Sequence, residues 1–298
     1  MGYNLRLLIS CPDKKGLISA ISSFIAMHDG NILSADQYVS AGADRGIAGG
    51  IASGTAGGTF LMRLEIEGDG FGLARDEFAG AFAPLARRHG MEWSVSYTDA
   101  PKRVAVLVSK YDHCLTDLLW RWDAGELDAE IPLVISNHPD LAPLVDVHGV
   151  PFYHLPLMKE TKAEQESKML DLLSEREVDL VVLARYVQIL TPKVVNSYPH
   201  RIVNIHHSFL PAFAGADPYR RAHERGVKTI GATAHYVTEE LDAGPIIHQD
   251  VAHVTHRDSV EDLVRLGREV ERRVFARAVR WRLEDRILVD GNRTVVFE

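Results

Sequence analysis

The spacing of hydrophobic residues changes character near residue 100, which divides the chain into two parts. In the first part, four short apolar runs and two segments of helical period alternate in the order strand, helix, strand, strand, helix, strand. The predicted elements span residues 3–10, 16–28, 32–39, 59–67, 71–89 and 91–97. This order predicts the ferredoxin-like split motif, an antiparallel sheet covered by two helices.

In the second part, apolar runs alternate with longer amphipathic segments. Strands are predicted at 103–109, 131–136, 150–155 and 178–184, and helices at 114–122, 162–177 and 258–282. The run VDLVVLA at 178–184 is apolar except for Asp179, as in a strand buried on both faces. Alternating strands and helices predict an α/β domain with a doubly wound, mostly parallel sheet. A final hairpin is predicted at 286–289 and 294–297, around the Asp290-Gly291 pair.

A short polar linker at 99–102 separates the two patterns, so the predicted domains span residues 1–98 and 103–298. The chain of 298 residues has 46% hydrophobic and 25% charged residues, the values of an ordinary globular protein. Its net charge of -8 argues against nucleic-acid binding. The two cysteines, Cys11 and Cys114, have no metal-binding spacing, and no apolar run is long enough to cross a membrane. We therefore expect a cytoplasmic protein.

Three polar residues in the second part are candidates for chemistry. Asn204 and His206 follow a β-branched run, and residues two apart in a strand point to the same face. Asp242 lies in a turn-like Leu-Asp-Ala-Gly segment between two apolar runs. An amide donor, an imidazole that titrates near neutral pH and a carboxylate could together serve acid–base catalysis. The alternative is a buried strand with incidental polar residues.

The sequence around these residues resembles a known family. The string NIHHSFLP at 204–211, followed by Gly215 and by DAGP at 242–245, resembles the folate-dependent formyltransferase fold. The doubled histidine and the string GATAHYV at 231–237 are most similar to the formyltetrahydrofolate deformylases. The resemblance implies hydrolysis of 10-formyltetrahydrofolate to tetrahydrofolate and formate. It also implies that Asn204 and His206 stabilise the oxyanion and that Asp242 is the general acid/base.

The same resemblance implies a folate-binding set. The segment 185–190 is similar to the one whose backbone lines the pterin pocket in this family. The implied substrate-binding residues are Arg185, Tyr186, Val187, Gln188, Leu190, Ser208, Gly215 and His235. No cofactor is expected beyond the folate substrate. No metal is expected either, because the adjacent residues His206 and His207 point to opposite sides of a strand.

The acceptor of the formyl group separates hydrolysis from transfer. Formyltransferases that act on a phosphorylated amine hold its phosphate with a glycine-rich loop after the first strand. Here residues 109–114 read SKYDHC, which contains no glycine, and Asp112 would repel a phosphate. Water is therefore the expected acceptor. Two alternatives remain, a formyltransferase with an unidentified amine acceptor and a non-catalytic amino-acid sensor.

The first part of the chain resembles an ACT domain through its turn at residues 13–18. The resemblance implies an amino-acid effector bound at Asp13, Gly16 and Leu17, and pairing into a homo-oligomer, a dimer or tetramer. A role in oligomer contacts alone is the alternative. The segment 41–58 is rich in glycine and alanine and departs from the deformylase pattern. We predict a hairpin extension there that catalysis does not require.

Overall fold

The computed structural model describes residues 2–40, 58–157, 161–212 and 217–298. Gly215 and residues 41–57 of the predicted extension lie outside these ranges. The chain divides into two compact units, which are described separately here. The first unit comprises Met1–Pro101 with Asp285–Asp290 and Thr294–Glu298, and the second comprises Lys102–Glu284 with Gly291–Arg293.

The first unit contains a four-stranded antiparallel sheet and two helices. Its elements are β1 (Asn4–Pro12), α1 (Leu17–Met27), β2 (Ile32–Val39), β3 (Thr59–Glu67), α2 (Arg75–His89) and β4 (Glu92–Tyr97). The strand order is β2-β3-β1-β4. Alternate residues of β1, among them Leu7 and Ile9, pack in one core with Ile21 of α1 and with Phe78 and Phe82 of α2. The predicted ferredoxin-like arrangement is confirmed.

The second unit is built on a seven-stranded sheet. Its strands are β5 (Lys102–Val108), β6 (Ala129–Ser136), β7 (Phe152–His154), β8 (Leu180–Ala184), β9 (Ile202–His206), β10 (Thr229–Tyr236) and β11 (Ile246–His253). The order is β11-β10-β9-β8-β5-β6-β7. The strands from β5 to β9 pair in parallel, whereas β10 is antiparallel to both β9 and β11. The mostly parallel sheet is confirmed, and the antiparallel pair at its edge is an addition to the predicted pattern.

The described residues of this second unit form six helices. They are α3 (His113–Asp123), α4 (Ala142–Asp146), α5 (Lys162–Glu175), α6 (Pro192–Ser197), α7 (Pro218–Arg225) and α8 (Val260–Leu283). Periodicity predicted α3, α5 and α8 but missed the other three, which are too short to show a repeat. The longest helix, α8, begins at a capping box formed by Ser259 and Asp262 and packs on β9, β10 and β11. No helix in the described ranges is both long and apolar enough to cross a lipid bilayer.

The predicted domain boundary places the C-terminal hairpin in the second domain, but the structure does not. Strands β12 (Ile287–Asp290) and β13 (Arg293–Val296) form it, and most of its residues belong to the first unit rather than the second. The reason is a set of polar contacts around Asp285. The buried Arg63 donates from Nε to the Asp285 carbonyl at 3.1 Å, and the Ser96 hydroxyl donates to the Asp285 carboxylate at 2.6 Å. These partners are far apart in sequence, so periodicity gives no sign of them.

In the second unit, one buried hydroxyl fixes the chain after β9. Thr233 of β10 lies opposite His206 in the sheet and is completely buried. Its Oγ1 donates to the Ser208 carbonyl at 2.9 Å. It also accepts from the Leu210 backbone N–H at 3.0 Å and from the Gln249 side chain at 2.9 Å. The carboxyl end of β9 is therefore held in one conformation.

We predict that Thr233→Val destabilises the protein by about 1–3 kcal/mol, because it leaves the buried Leu210 N–H without an acceptor. Thr229→Val, at an exposed position on the same strand, should change stability by less than about 0.5 kcal/mol. Urea unfolding of both variants checks this. Equal midpoints for the two variants would contradict the assigned role of the Thr233 hydroxyl.

Candidate active site

A cavity of about 520 Å³ opens at the carboxyl ends of β8 and β9. In a doubly wound sheet, this edge is where ligands bind. Nine residues predicted from the sequence to act in catalysis or substrate binding line the cavity. They are Arg185, Tyr186, Val187, Gln188, Leu190, Asn204, His206, His235 and Asp242.

Antiparallel pairing of β9 and β10 assembles the polar centre of the cavity. Asn204 lies opposite His235 in the register, and its Nδ2 is 3.2 Å from the Nε2 of His235. The carboxylate of Asp242 reaches the same place, with its Oδ2 3.3 Å from the Nδ1 of His206. The convergence of Asn204, His206 and Asp242 thus includes a second imidazole, that of His235.

The hydrogen bonds fix the tautomer of His235. Its Nδ1 lies 2.9 Å from the Tyr236 carbonyl, which can only accept, so Nδ1 carries a proton. In the neutral ring, Nε2 is then the acceptor for the Asn204 amide. The 3.7 Å separation between this Nε2 and Asp242 Oδ1 exceeds hydrogen-bond length, so that contact is electrostatic. The amide of Asn204 keeps a second N–H that His235 does not use.

The environment of Asp242 keeps its carboxylate ionised. The hydrogen bond from His206, and then the closeness of His235, hold the pKa of Asp242 well below its usual range despite partial burial. Its φ of 55° is left-handed, a conformation that aspartate tolerates better than most residues. Because the Nδ1 of His206 donates to this carboxylate, its Nε2 is the ring nitrogen available to accept a proton. That Nε2 is buried and has no hydrogen-bond partner among the described residues.

The neighbouring His207 behaves differently. It lines both this cavity and a smaller one of about 250 Å³. Burial, and then the positive charge of Arg185, lower the pKa of His207 to about 4. The ring is therefore neutral near pH 7, which suits packing against substrate rather than electrostatic stabilisation of an anion.

The segment after β8 forms an ordered wall. The Val187 N–H donates to Ser109 Oγ at 3.1 Å, and the Gln165 side chain donates to the Tyr186 hydroxyl at 3.2 Å. The side chains of Val187 and Ile189 remain 62% and 60% exposed and line the cavity. Apolar walls beside fixed polar groups are the usual features of a site for a flat heterocycle.

The structure places Ser208 and the predicted effector-binding residues elsewhere. Ser208 is buried, donates to the Ala212 carbonyl at 2.9 Å and lines the smaller cavity instead. In the first unit, Gly16 has a φ of 91° at the start of α1, and Asp13 is exposed. The Leu17 side chain is part of the core, so only its backbone is open to an effector.

One buried carboxylate beside the cavity was missed by sequence reasoning. Glu271 of α8 is 1% exposed and accepts from His113 Nε2 at 2.8 Å and from the Tyr219 hydroxyl at 2.5 Å. Burial would raise its pKa, but the hydrogen bond from His113, the charge of Arg185 and the hydrogen bond from Tyr219 outweigh burial and lower it. The available signal was a glutamate within the apolar stripe of α8, next to Val270.

Within the described ranges, a single group brings three possible metal ligands together. Atoms of His113, Cys114 and Glu271 lie within 4.8 Å of one another. Glu271 is already engaged by His113, Tyr219 and the Arg185 cation. Burial, and then the charge of Glu271, raise the pKa of Cys114 well above its usual value, so the thiol is protonated. This donor set does not suit a resident cation, and a metal-free reaction stays a prediction.

Comparison with known proteins identifies the family to which this chain is similar. A formyl transferase model matches residues 102–279, and an ACT domain model matches residues 5–58. A formyltetrahydrofolate deformylase of Synechocystis sp. is 53% identical over 98% of this chain and 97% of its own length. One of Bacillus subtilis is 49% identical over 98% of this chain and 93% of its own.

A crystal structure of a formyltetrahydrofolate deformylase from Pseudomonas syringae pv. tomato superposes with a TM-score of 0.93. It is 47% identical, and the match covers 99% of this chain and 95% of that one. The resemblance seen in residues 204–211 and 231–245 is therefore confirmed. The chain belongs to the formyltetrahydrofolate deformylase family, with an N-terminal ACT domain and a formyltransferase domain.

Proposed function

We propose that this protein hydrolyses 10-formyltetrahydrofolate to tetrahydrofolate and formate. The observation that carries the proposal is the pairing of His206 Nδ1 with the ionised Asp242, which leaves the buried His206 Nε2 without a hydrogen-bond partner among the described residues. The names of the relatives described above support the same substrate. No cofactor beyond the folate substrate enters this reaction.

In the proposed mechanism, water adds to the formyl carbon and gives a proton to His206 Nε2. The resulting imidazolium is stabilised by Asp242 and lies beside the oxyanion of the tetrahedral intermediate. The unused N–H of Asn204 donates to the same oxyanion. The imidazolium then protonates the folate nitrogen as the C–N bond breaks, and formic acid loses its proton to solvent. Asn204 and His206 thus stabilise the oxyanion, His206 transfers the proton, and Asp242 supports this acid/base step by stabilising the imidazolium.

Transfer of the proton through His206 is favoured over direct deprotonation of water by Asp242. A carboxylate whose pKa is held well below its usual range is a weak base. The same carboxylate lies 3.3 Å from the ring nitrogen that donates to it, next to the charge that His206 carries after it takes the proton. Asp242 is therefore better suited to stabilise the imidazolium than to take the proton itself.

The region where an acceptor phosphate would bind supports water as the acceptor. Ser109 Oγ donates to Asn137 at 2.7 Å and accepts from the Val187 N–H. The Nε2–H of His113 is used by Glu271. These donors serve the protein itself, and Asp112 adds a negative charge before α3. Transfer to an unidentified amine is the second candidate function, since both reactions share the tetrahedral intermediate.

We further propose that residues 1–98 form a regulatory and oligomerisation domain and that residues 103–298, without the C-terminal hairpin, form the catalytic domain of a cytoplasmic enzyme. The ACT match and the exposed turn at Asp13 and Gly16 support an amino-acid effector there. Pairing of such domains would give a dimer or tetramer. Solution mass and effector titration, each measured with the intact chain, test these two points.

The first prediction of this proposal is formate release in the absence of any amine. Purified protein incubated with 10-formyltetrahydrofolate and buffer alone should produce formate and tetrahydrofolate in equal amounts. Formate that appears only after an amine is added would instead identify a transferase. Folate binding without any turnover would identify the protein as a non-catalytic sensor.

Asp242→Asn should lower turnover by about 10²–10⁴-fold, because it keeps the side-chain shape but removes the charge that stabilises the imidazolium. Folate binding should change little. Asp250→Asn removes a half-buried carboxylate of β11 that pairs with Arg273 of α8; it is the matched control and should retain turnover. A rate within a few-fold of the unmodified protein for Asp242→Asn would remove Asp242 from the mechanism.

Asn204→Ala should lower kcat by about 10²–10³-fold if its amide donates to the oxyanion. The substitution also frees His235 Nε2, so the variant should be checked for an unchanged unfolding midpoint. Steady-state kinetics separate the possible roles. An unchanged kcat with a raised KM would assign Asn204 to substrate positioning instead.

A further inference from the structure

Among the described residues, the guanidinium group of Arg185 has no hydrogen-bond partner, although its side chain is nearly buried. Its side chain is 11% exposed and lines the catalytic cavity. It contacts Glu271 at 3.3 Å and lies over the Tyr111 ring at 5.2 Å, but it makes no hydrogen bond with any described residue. We propose that Arg185, anchored by Glu271, is a carboxylate-binding subsite that receives the formate product. This inference rests on the proposed function.

Glu271 holds one edge of the Arg185 guanidinium. Glu271 presents Oε2 to His113 and Oε1 to Tyr219, which fixes the carboxylate in one orientation. The Nε of Arg185 approaches Oε2, but its N–H is not directed at the oxygen, so the contact is an ion pair without a hydrogen bond. A buried carboxylate is costly unless a positive charge compensates it. Arg185 is therefore held in place electrostatically, while its Nη groups make no hydrogen bond to the part of the chain that the structure describes.

Two backbone features, one at Arg185 and one on α8, accommodate the ion pair between Arg185 and Glu271. Arg185 has a φ of 63°, a left-handed conformation that costs roughly 1–2 kcal/mol for an ordinary residue. On α8, a Cβ at Gly267 would lie 2.1 Å from the Tyr219 hydroxyl oxygen. Glycine at 267 thus makes room for Tyr219 to reach Glu271 one turn later.

The charges around the cavity favour one position for an anion. Arg185 is the single arginine or lysine among the described residues that line it, whereas Asp217, Glu239 and Asp242 are acidic. A planar guanidinium can donate two parallel hydrogen bonds to a planar carboxylate. The formyl group of the substrate is neutral, so formate acquires its charge as it is released. Arg185 would then bind the product more strongly than the substrate.

The test measures formate binding directly, without turnover. Sodium [13C]formate is titrated into folate-free protein, and binding is followed by NMR. Arg185→Gln should weaken binding by roughly 10- to 100-fold, the range for a hydrogen bond to a charged group. Arg185→Lys retains the charge beside Glu271 but not the planar pair of donors, and should also weaken it. Arg277→Gln, at an exposed position on α8 beside Trp281, is the control and should bind as the unmodified protein does.

Glu271 acts through Arg185, so its variants need a separate readout. Glu271→Gln should weaken formate binding by about tenfold, within the range for residues coupled in one ion-pair network. The KM for 10-formyltetrahydrofolate should stay unchanged, while the product-inhibition constant for formate rises. If Glu271→Gln fails to fold, Tyr219→Phe keeps the ring, removes one hydrogen bond and should weaken formate binding in the same direction.

Two results would overturn the subsite. The first is unweakened formate binding in a folded Arg185→Gln protein. The second is an effect of Arg185→Gln on KM that disappears with 10-formyltetrahydropteroate, which lacks the glutamyl carboxylates, because Arg185 would then bind the folate tail. Failure of the proposed function is distinguishable, since absent hydrolysis leaves the formate titration of folate-free protein unaffected.

Discussion

The candidate site depends on one carboxylate placed between two imidazoles. Asp242 contacts His206 and His235, and these rings come from adjacent antiparallel strands. The positions follow from the β9–β10 register, which sets Asn204 opposite His235 and Thr233 opposite His206. A shift of this register by one residue would turn every side chain of β10 to the other face. The edge of the sheet is thus where fold and chemistry are most tightly linked.

Local spacing was sufficient to predict part of this arrangement. Asn204 and His206 are two residues apart on one strand, so the period of the strand alone places them on one face. The role of His235 could not be derived in the same way, because its contact with Asn204 depends on which strands pair and in which register. The orientation of the Ser208 hydroxyl could not be predicted either, because it is set by a hydrogen bond that the hydroxyl donates to the Ala212 carbonyl.

Contacts between distant parts of the sequence set the limit of sequence-based prediction. The C-terminal hairpin was predicted as a hairpin from the Asp290-Gly291 pair, but its association with the first unit rests on Arg63, more than two hundred residues earlier. Glu271 likewise finds its partners on α3, on α7 and after β8. Hydrophobic periodicity identifies each element separately, and it contains no information about which polar groups will meet between them.

The pairing of Glu271 with Arg185 is difficult to explain as a source of stability. Desolvating two charges offsets most of their attraction, and apolar residues of similar volume often give an equally stable core. The pair also coincides with a left-handed backbone at Arg185 and with a glycine inside α8, both of which are unfavourable locally. These unfavourable features lie beside the cavity. There a fixed guanidinium, whose N–H groups bond to no described residue, can bind an anion. An interaction that adds little to stability, and needs two unfavourable backbone features, is most simply explained by the ligand it prepares the site to receive.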